Sequence, residues 1–321
     1  MKYSNGITSC ENPAVTVNQF QNHSFSITAP EGQCTFLAPK RSLDIHKGQS
    51  INCIALSPDR MEVLSGDSSG HLYLTHLGTE PVPLPGPTPG FDIESCIFDP
   101  SHKLFFSCGG DFRIYEFSST EYQPTGRYDG HRSSVKSILV YGDNLYSGSH
   151  DSQVCIWDIS THKRLSSANM GHPVNDICFS SNDLIFAATE QSISAIDRRT
   201  QQSAVSPTFE KGLSFNTIAS FENELVTGTD DGKVIGYDIR NLSQPFSEFS
   251  WFDSPINKLR YCVGKLWVAT NDGTAACINM AEKRSYVVLG TISYVPIRDL
   301  ALSELTIWTA SGEGIMQNFD L

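Results

Sequence analysis

Leu145–Asp158 reads Leu-Tyr-Ser-Gly-Ser-His-Asp-Ser-Gln-Val-Cys-Ile-Trp-Asp, and this stretch decides the fold. It begins with an apolar pair and ends with the apolar run Val154–Trp157, and the polar segment Ser149–Gln153 lies between them. Short apolar runs rich in β-branched and aromatic residues, separated by a few polar residues, are typical of strands joined by a tight turn. The stretch therefore predicts a β-hairpin that ends in Trp157-Asp158.

Weaker copies of this hairpin occur along the whole chain, and most of them end in an apolar or aromatic residue followed by a polar one. The last residues of the seven copies are His76, Glu116, Asp158, Asp197, Asp238, Asn279 and Asp320. Their spacings are 40, 42, 39, 41, 41 and 41 residues, within or next to the range of about 40–45 residues for a four-stranded propeller blade. The repeat predicts an all-β, seven-bladed β-propeller, in which radial repetition limits exposed sheet edges.

The copies differ in their turns. Asp231-Gly232 and Asp272-Gly273 are hairpin signals, because glycine accepts a positive φ. The fourth copy has lost this glycine, and the second copy reads as shortened at Gly110–Phe112. Pro81–Pro89 carries a proline at every second residue and is interpreted as a stiff connector between the first two blades.

The seventh copy ends next to Leu321, directly after its third strand, so this blade lacks an outer strand of its own. We expect residues 1–45 to supply that strand and residues 46–321 to form the propeller, all within a single domain. Residues 23–43 contain two strand-like runs, His23–Thr28 and Cys34–Leu37, and the sequence does not choose between them. Loss of the closing strand would leave an unpaired sheet edge, so deletion of residues 1–45 is expected to destabilise the ring.

Composition limits the kinds of partner. The 321 residues carry a net charge of -12, which phosphates would repel, so we expect neither nucleic acid nor a membrane as a partner. The nine cysteines form no C-x-x-C pair, the nine histidines lack metal-ligand spacing, and nucleotide-binding motifs are missing, so we predict no metal and no cofactor. Dispersed cysteines without a signal segment indicate a reducing compartment, the cytoplasm, with the nucleus as a second location.

The hairpin and its copies resemble the WD-repeat family over nearly the whole chain. That family has a structural tetrad of histidine, serine or threonine, aspartate and tryptophan, and its positions match His131, Ser147, Asp151 and Trp157. The resemblance implies a chain of hydrogen bonds that satisfies buried polar groups and locks a turn to a strand.

Two patterns imitate catalytic motifs. The serine, histidine and aspartate of the tetrad are the residue types of a hydrolase triad, but the repeat explains their spacing and no oxyanion hole is indicated. Gly66–Gly70 fits the G-x-S-x-G pattern of a nucleophile elbow, which requires a strand-to-helix turn. Strand-forming residues, His71–Leu74, follow it instead. We therefore predict that the chain is not an enzyme.

A narrower resemblance rests on segments that are dispersed along the chain in order. Thr35–Pro39, with its Phe-Leu-Ala-Pro, is the most specific of them and looks like the start of the propeller in the proteasomal ATPase-associated factor family. The other matching segments are His23–Pro30, Ile45–Cys53, Phe215-Asn216, Gly228–Val234, Tyr237–Arg240, Val295–Ile297 and Ser311–Gly314. The resemblance implies a chaperone for assembly of the proteasome 19S regulatory particle base, which binds the C-terminal domain of a proteasomal ATPase subunit.

Propellers commonly bind partners through the loops that lead into each first strand and the tight turns after each second strand. The charged residues expected there, and hence our candidates for partner binding, are Asp92, Glu94, Asp176, Glu190, Asp230, Asp253, Asp272, Arg298 and Glu313. A closed ring buries its own core, so we expect a monomer when the protein is free. Two alternatives stay open: a general WD-repeat scaffold such as a ubiquitin-ligase substrate receptor, and a histone- or RNA-associated binding module.

Overall fold

The chain folds into a ring of β-sheets. The computed structural model describes residues 16–19, 25–29, 32–76, 79–85, 89–180, 183–200, 202–204, 213–250, 252–280, 284–289 and 295–321. These residues form seven sheets, and none of them lies in a helix. Within these ranges there is accordingly no helix long and apolar enough to cross a membrane. The first strands of neighbouring blades contact each other all the way around the ring, including the first and the seventh. This is the seven-bladed propeller that the repeat predicts.

Four strands precede the first repeat, and 27 follow them in chain order. The first four are β1 (Thr16–Gln19), β2 (Phe25–Ala29), β3 (Gly32–Leu37) and β4 (Arg41–Asp44). Blade 1 comprises β5 (Ile51–Leu56), β6 (Glu62–Asp67), β7 (Leu72–His76) and β8 (Val82–Leu84). Blade 2 comprises β9 (Ile93–Phe98), β10 (Leu104–Gly109), β11 (Ile114–Ser118) and β12 (Pro124–Tyr128). Blade 3 comprises β13 (Val135–Tyr141), β14 (Asn144–Ser149), β15 (Gln153–Asp158) and β16 (Lys163–Asn169).

The remaining blades repeat this order. Blade 4 comprises β17 (Val174–Phe179), β18 (Leu184–Thr189), β19 (Ile193–Asp197) and β20 (Gln202–Ala204). Blade 5 comprises β21 (Phe215–Phe221), β22 (Glu224–Thr229), β23 (Val234–Asp238) and β24 (Asn241–Phe249). Blade 6 comprises β25 (Ile256–Cys262), β26 (Lys265–Thr270), β27 (Ala275–Asn279) and β28 (Arg284–Leu289). Blade 7 comprises β29 (Ile297–Leu302), β30 (Thr306–Ser311) and β31 (Ile315–Asp320), with β4 added.

The spacing of the sequence repeat predicts where the third strand of each blade ends. Six of the seven third strands end at the residue chosen from the repeat, and only β11 of blade 2 extends beyond it, to Ser118. Antiparallel neighbours within a blade are joined by short turns, so each blade is a local unit. The repeat length could therefore be read from the sequence.

The blades pack face to face, and small residues in the second strands allow the close approach. A Cβ atom added at Gly228 would lie 2.5 Å from the Ile256 side chain of the next blade, and one added at Gly148 would lie 2.7 Å from Val174. Both isoleucine and valine are fully buried at the start of a first strand. Interiors are packed at crystal-like density, so the Ser-Gly and Thr-Gly pairs in the repeat reflect packing between blades.

The ring is closed by a strand that the sequence analysis did not single out. Strand β4 pairs antiparallel with β31, with Leu43 opposite Met316, and becomes the outer strand of blade 7. The two runs favoured from sequence, His23–Thr28 and Cys34–Leu37, were the wrong choice. They contribute to β2 and β3, and β3 pairs parallel with β28, so that β1–β3 extend the sheet of blade 6.

Two further interpretations need correction. Pro81–Pro89 is not only a connector, because Val82–Leu84 forms β8, the outer strand of blade 1, where Pro83 lies opposite Tyr73. Proline is tolerated at this edge position, where no further strand needs its missing N–H. The turn at Gly110–Phe112 is not shortened either, since Phe112 N–H donates to Gly109 C=O, as Gly70 N–H donates to Asp67 C=O in blade 1.

Candidate partner-binding face and central channel

The tetrad of blade 3 forms a continuous chain of hydrogen bonds. Trp157 Nε1 donates to Ser147 Oγ at 2.8 Å, and His131 Nε2 lies 2.7 Å from the same oxygen. His131 Nδ1 lies 2.8 Å from Asp151 Oδ2, which also accepts the Arg132 N–H. Burial lowers the pKa of His131, so the neutral ring receives the serine proton and donates to the aspartate.

This arrangement has the connectivity of a catalytic triad but not its accessibility. Ser147 is fully buried, and its oxygen already accepts the indole N–H of Trp157. A nucleophile must reach a substrate carbonyl, and this one faces the interior of the blade. Burial acts to raise the pKa of Asp151, but hydrogen bonds from Arg132 and His131 outweigh it and leave the pKa below its ordinary value. The geometry supports a structural role.

Blade 1 contains a second histidine chain that the sequence analysis missed. His46 Nε2 lies 2.9 Å from Ser65 Oγ, and His46 Nδ1 lies 2.8 Å from Asp67 Oδ2. The tryptophan position is taken by Thr75, whose buried Oγ1 has no hydrogen-bond partner among the described residues. Asp67 lies at the end of the second strand, whereas Asp151 of blade 3 lies in the turn after it. The distance in sequence between the serine and the aspartate therefore differs between the two blades. Ser65-Gly66, which repeats Ser147-Gly148, was the available signal.

One surface of the ring carries both kinds of loop that were expected to bind a partner. We call this surface the upper face. It consists of the loops that lead into each first strand and the turns between the second and third strands. One backbone hydrogen bond in each blade, 2.8–3.3 Å long, joins the turn to the loop. The donor and acceptor residues are Ser68 and Ser50, Gly110 and Asp92, His150 and Ser134, Glu190 and Pro173, Asp230 and Ser214, Asn271 and Pro255, and Gly312 and Pro296. The upper face is therefore a rigid ring of paired loops.

The candidate residues are distributed unevenly over this face. Six of the nine are exposed on it: Asp92, Glu190, Asp230, Asp253, Arg298 and Glu313. Glu94 and Asp272 are half-buried and hold local partners. Lys136 Nζ lies 2.6 Å from Glu94 Oε1, and Asp272 accepts the Thr274 N–H at 3.1 Å. A carboxylate that already forms an ion pair or a hydrogen bond contributes less to the affinity for a basic partner.

Asp176 must be withdrawn from the candidates. It is only 3% exposed and accepts hydrogen bonds from Ser137 Oγ and Thr217 Oγ1 of the neighbouring first strands, both at 2.8 Å. Lys258 Nζ reaches it from blade 6 at 3.0 Å. Burial acts to raise the pKa of Asp176, but the charges of Lys258 and Arg260 outweigh it, so the pKa stays below its ordinary value. The third residue of a first strand points toward neighbouring strands, not toward solvent.

Asp299 occupies the same strand position in blade 7 and makes equivalent contacts. Its Oδ2 accepts the Ile54 N–H of blade 1 at 3.1 Å, and Arg260 of blade 6 reaches its Oδ1 at 3.3 Å. The seven residues at this position are Cys53, Ser95, Ser137, Asp176, Thr217, Lys258 and Asp299. The two acids therefore join first strands from blades that are distant in the sequence.

The mouth of the channel is polar. Asn175, Asn216 and Asn257 each donate a side-chain hydrogen bond to the first-strand carbonyl of the next blade, at 2.9–3.3 Å. Arg298 takes this position in blade 7 and reaches Asn271 Oδ1 at 3.4 Å. A cavity of about 300 Å³ opens here, lined by these side chains together with Glu94 and Lys136. The described residues contain no group of three or more His, Cys, Asp and Glu side chains placed to hold a metal ion.

Comparisons with known proteins agree with this architecture. Residues 37–75 and 122–158 match the WD40 family, described as WD domain, G-beta repeat. The structure of U3-55K superposes with a TM-score of 0.76 at 14% sequence identity, over 88% of this chain and 98% of that one. The crystal structure of the RRP9 WD40 repeats gives the same TM-score and identity, over 88% of this chain and 97% of that one. At this identity the likeness shows the fold alone.

Similar curated proteins match only part of the chain. It is 31% identical over 126 residues to the ribosome biogenesis protein YTM1 of Phaeosphaeria nodorum, covering 36% of this chain and 27% of that protein. It is 25% identical over 143 residues to the probable proteasomal ATPase-associated factor 1 of Dictyostelium discoideum, covering 36% and 34%. The alignments span about a third or less of these relatives. The chain therefore has a seven-bladed β-propeller fold, and two of its segments match the WD repeat.

Proposed function

We propose that this propeller is a non-catalytic binding protein that receives a basic surface of its partner on the upper face. The observation that carries the proposal is the set of exposed acids held on the paired loops, namely Asp92, Glu190, Asp230, Asp253 and Glu313. The backbones of Asp92, Glu190 and Asp230 take part in the hydrogen bonds between turn and loop, so little conformational entropy is lost there when a partner binds. Complementary charge then speeds association and selects the partner.

The partner that we propose is the C-terminal domain of a proteasomal ATPase subunit, bound during assembly of the 19S regulatory particle base. Support comes from the segments that resemble the proteasomal ATPase-associated factors and from the 25% identity to the Dictyostelium protein of that name. The net charge of -12 is compatible with a basic patch on such a domain. Assembly takes place in the cytoplasm and nucleus under this proposal.

A second candidate is a role in ribosome biogenesis. It is favoured by the 31% identity to YTM1, a ribosome biogenesis protein. Affinity capture of the full chain from cells, followed by mass spectrometry, separates the two. Recovery of free proteasomal ATPase subunits and base precursors supports the first proposal. Recovery of ribosome-assembly factors, ribosomal proteins or cullin adaptors without proteasome subunits would overturn it.

The role of the upper face is tested by charge reversal. A variant with Asp92, Asp230 and Asp253 changed to lysine should bind the captured partner roughly tenfold more weakly, with less dependence on salt. The matched control changes Glu80, Glu121 and Glu304 to lysine. These acids are exposed in turns at the opposite ends of the strands, so the net charge changes equally while the upper face stays intact. Equal weakening in both variants would show that only net charge matters.

A further inference from the structure

The turn of blade 2 has a phenylalanine at a position where most blades have a glycine. In six blades the fourth residue, counted from the last residue of the second strand, is in the left-handed conformation. Four of these residues are glycines, with φ between 82° and 88°, and the other two are Phe112 at 69° and Ser152 at 66°. The glycines are Gly70, Gly232, Gly273 and Gly314. A bulky residue with positive φ is a genuine outlier, because its Cβ crowds the backbone.

Burial does not offset the strain at Phe112. The side chain remains 42% exposed, so it contributes little to the core, whereas glycine at this position would relieve the backbone. Strained residues that the fold does not require are often retained for a function. Glycine would remove the Cβ atom that crowds the backbone together with the exposed phenyl ring, so retention of phenylalanine points to a use for the ring.

A second exposed aromatic lies beside this turn. Phe91 is 47% exposed, and its backbone is held on both sides. Gly90 N–H donates to Ser69 C=O in the turn of blade 1 at 3.0 Å, and Asp92 C=O accepts the Gly110 N–H of blade 2 at 2.9 Å. A Cβ atom added at Gly110, in the same turn as Phe112, would meet the Phe91 ring at 3.8 Å. The segment that presents Phe91 is therefore rigid.

We propose that Phe91 and Phe112 form an aromatic anchor site on the upper face at blade 2, which binds a partner segment with an aliphatic or aromatic residue next to lysine or arginine. The inference rests on the proposed role of the upper face and deepens it. Rigid aromatic side chains dominate the affinity of many interfaces, because they bury large areas at small entropic cost. The neighbouring carboxylate of Asp92 is exposed and selects a basic residue beside the apolar one.

The first test uses a phage-displayed library of random peptides, selected on the immobilised full chain. The selected peptides should share an apolar residue next to lysine or arginine. Phe112→Gly should reduce their affinity about tenfold or more, and Phe91→Ser should do the same. The matched control is Phe246→Ser, because Phe246 is also 47% exposed but lies on the outer strand of blade 5. This control should bind the peptides like the unmodified chain.

Thermal unfolding of Phe112→Gly distinguishes an anchor from a structural residue. The anchor proposal requires an unchanged or higher Tm together with weaker binding, since glycine relieves the backbone while removing the ring. A lower Tm, or unchanged binding of the selected peptides, overturns it.

Recombinant C-terminal domains of proteasomal ATPase subunits separate this inference from the proposed function. If none of them binds the unmodified chain while the selected peptides still depend on Phe112, the ATPase proposal fails and the anchor stands. If one binds and Phe112→Gly binds it equally well, the anchor fails and the ATPase proposal stands.

Discussion

Replacement of Asp176 by alanine should destabilise the ring strongly. The carboxylate is buried, accepts hydrogen bonds from Ser137 and Thr217 at 2.8 Å, and pairs with Lys258 at 3.0 Å. Removing one partner of a buried ion pair costs about 3–5 kcal/mol, because the other charge stays uncompensated. At roughly 2–4 °C per kcal/mol for a large domain, the Tm should fall by about 6–20 °C.

A double variant tests whether the buried charge is the cause. Lys258→Met alone leaves the Asp176 carboxylate unpaired and should also destabilise the protein. The double variant Asp176→Ala, Lys258→Met removes both charges, so it should be more stable than the sum of the single effects predicts. Asp230→Ala is the control, since this acid is exposed and its loss should change the free energy of unfolding by less than about 0.5 kcal/mol.

The assay is calorimetric or spectroscopic thermal unfolding of the full chain at neutral pH. We expect a large decrease in Tm for Asp176→Ala, a smaller decrease for the double variant than the two single decreases add up to, and no change for the control. A Tm for Asp176→Ala within about 2 °C of the unmodified protein would refute it, because a buried pair cannot be broken so cheaply. Strict additivity of the two single variants would refute the coupling between blades 4 and 6.

Two more predictions concern ring closure and pH. Deletion of residues 1–45 removes β4, whereas deletion of residues 1–38 leaves β4 paired with β31. The longer deletion should therefore lower the Tm more, because it exposes a sheet edge. Equal Tm values in thermal unfolding would contradict closure by β4. The second follows from the lowered pKa of His131: the unfolded chain binds a proton near pH 6.5 that the folded state resists, so stability should fall as the pH drops below 6.5. His131→Asn should lower the Tm and flatten its pH dependence below pH 6.5, measured by thermal unfolding at a series of pH values. An unchanged slope would exclude His131 as the titrating group.

Part of the surface was predictable from sequence and part was not. The exposed acids at Asp92, Asp230 and Asp253 lie where the repeat position suggested, because the loops and turns recur at fixed points in each blade. Asp176 follows the same kind of loop but lies in its strand at a position directed toward the neighbouring blades. Its burial depends on side chains about 40 and 82 residues away, so it cannot be predicted from the sequence of a single repeat.

The number of blades and the tetrad of blade 3 could be predicted from the amino-acid sequence. Each blade is an antiparallel meander of adjacent strands, so its length and its His131–Trp157 chain are local properties of the repeat. Only the tertiary structure decided which strand closes the ring. Several N-terminal segments could form strands. Among those that the structure describes, β4 is the one that meets the free edge of β31, where Asn318 pairs with Arg41, 277 positions away. Long-range pairing of this kind depends on the geometry of the finished ring, which local patterns do not encode.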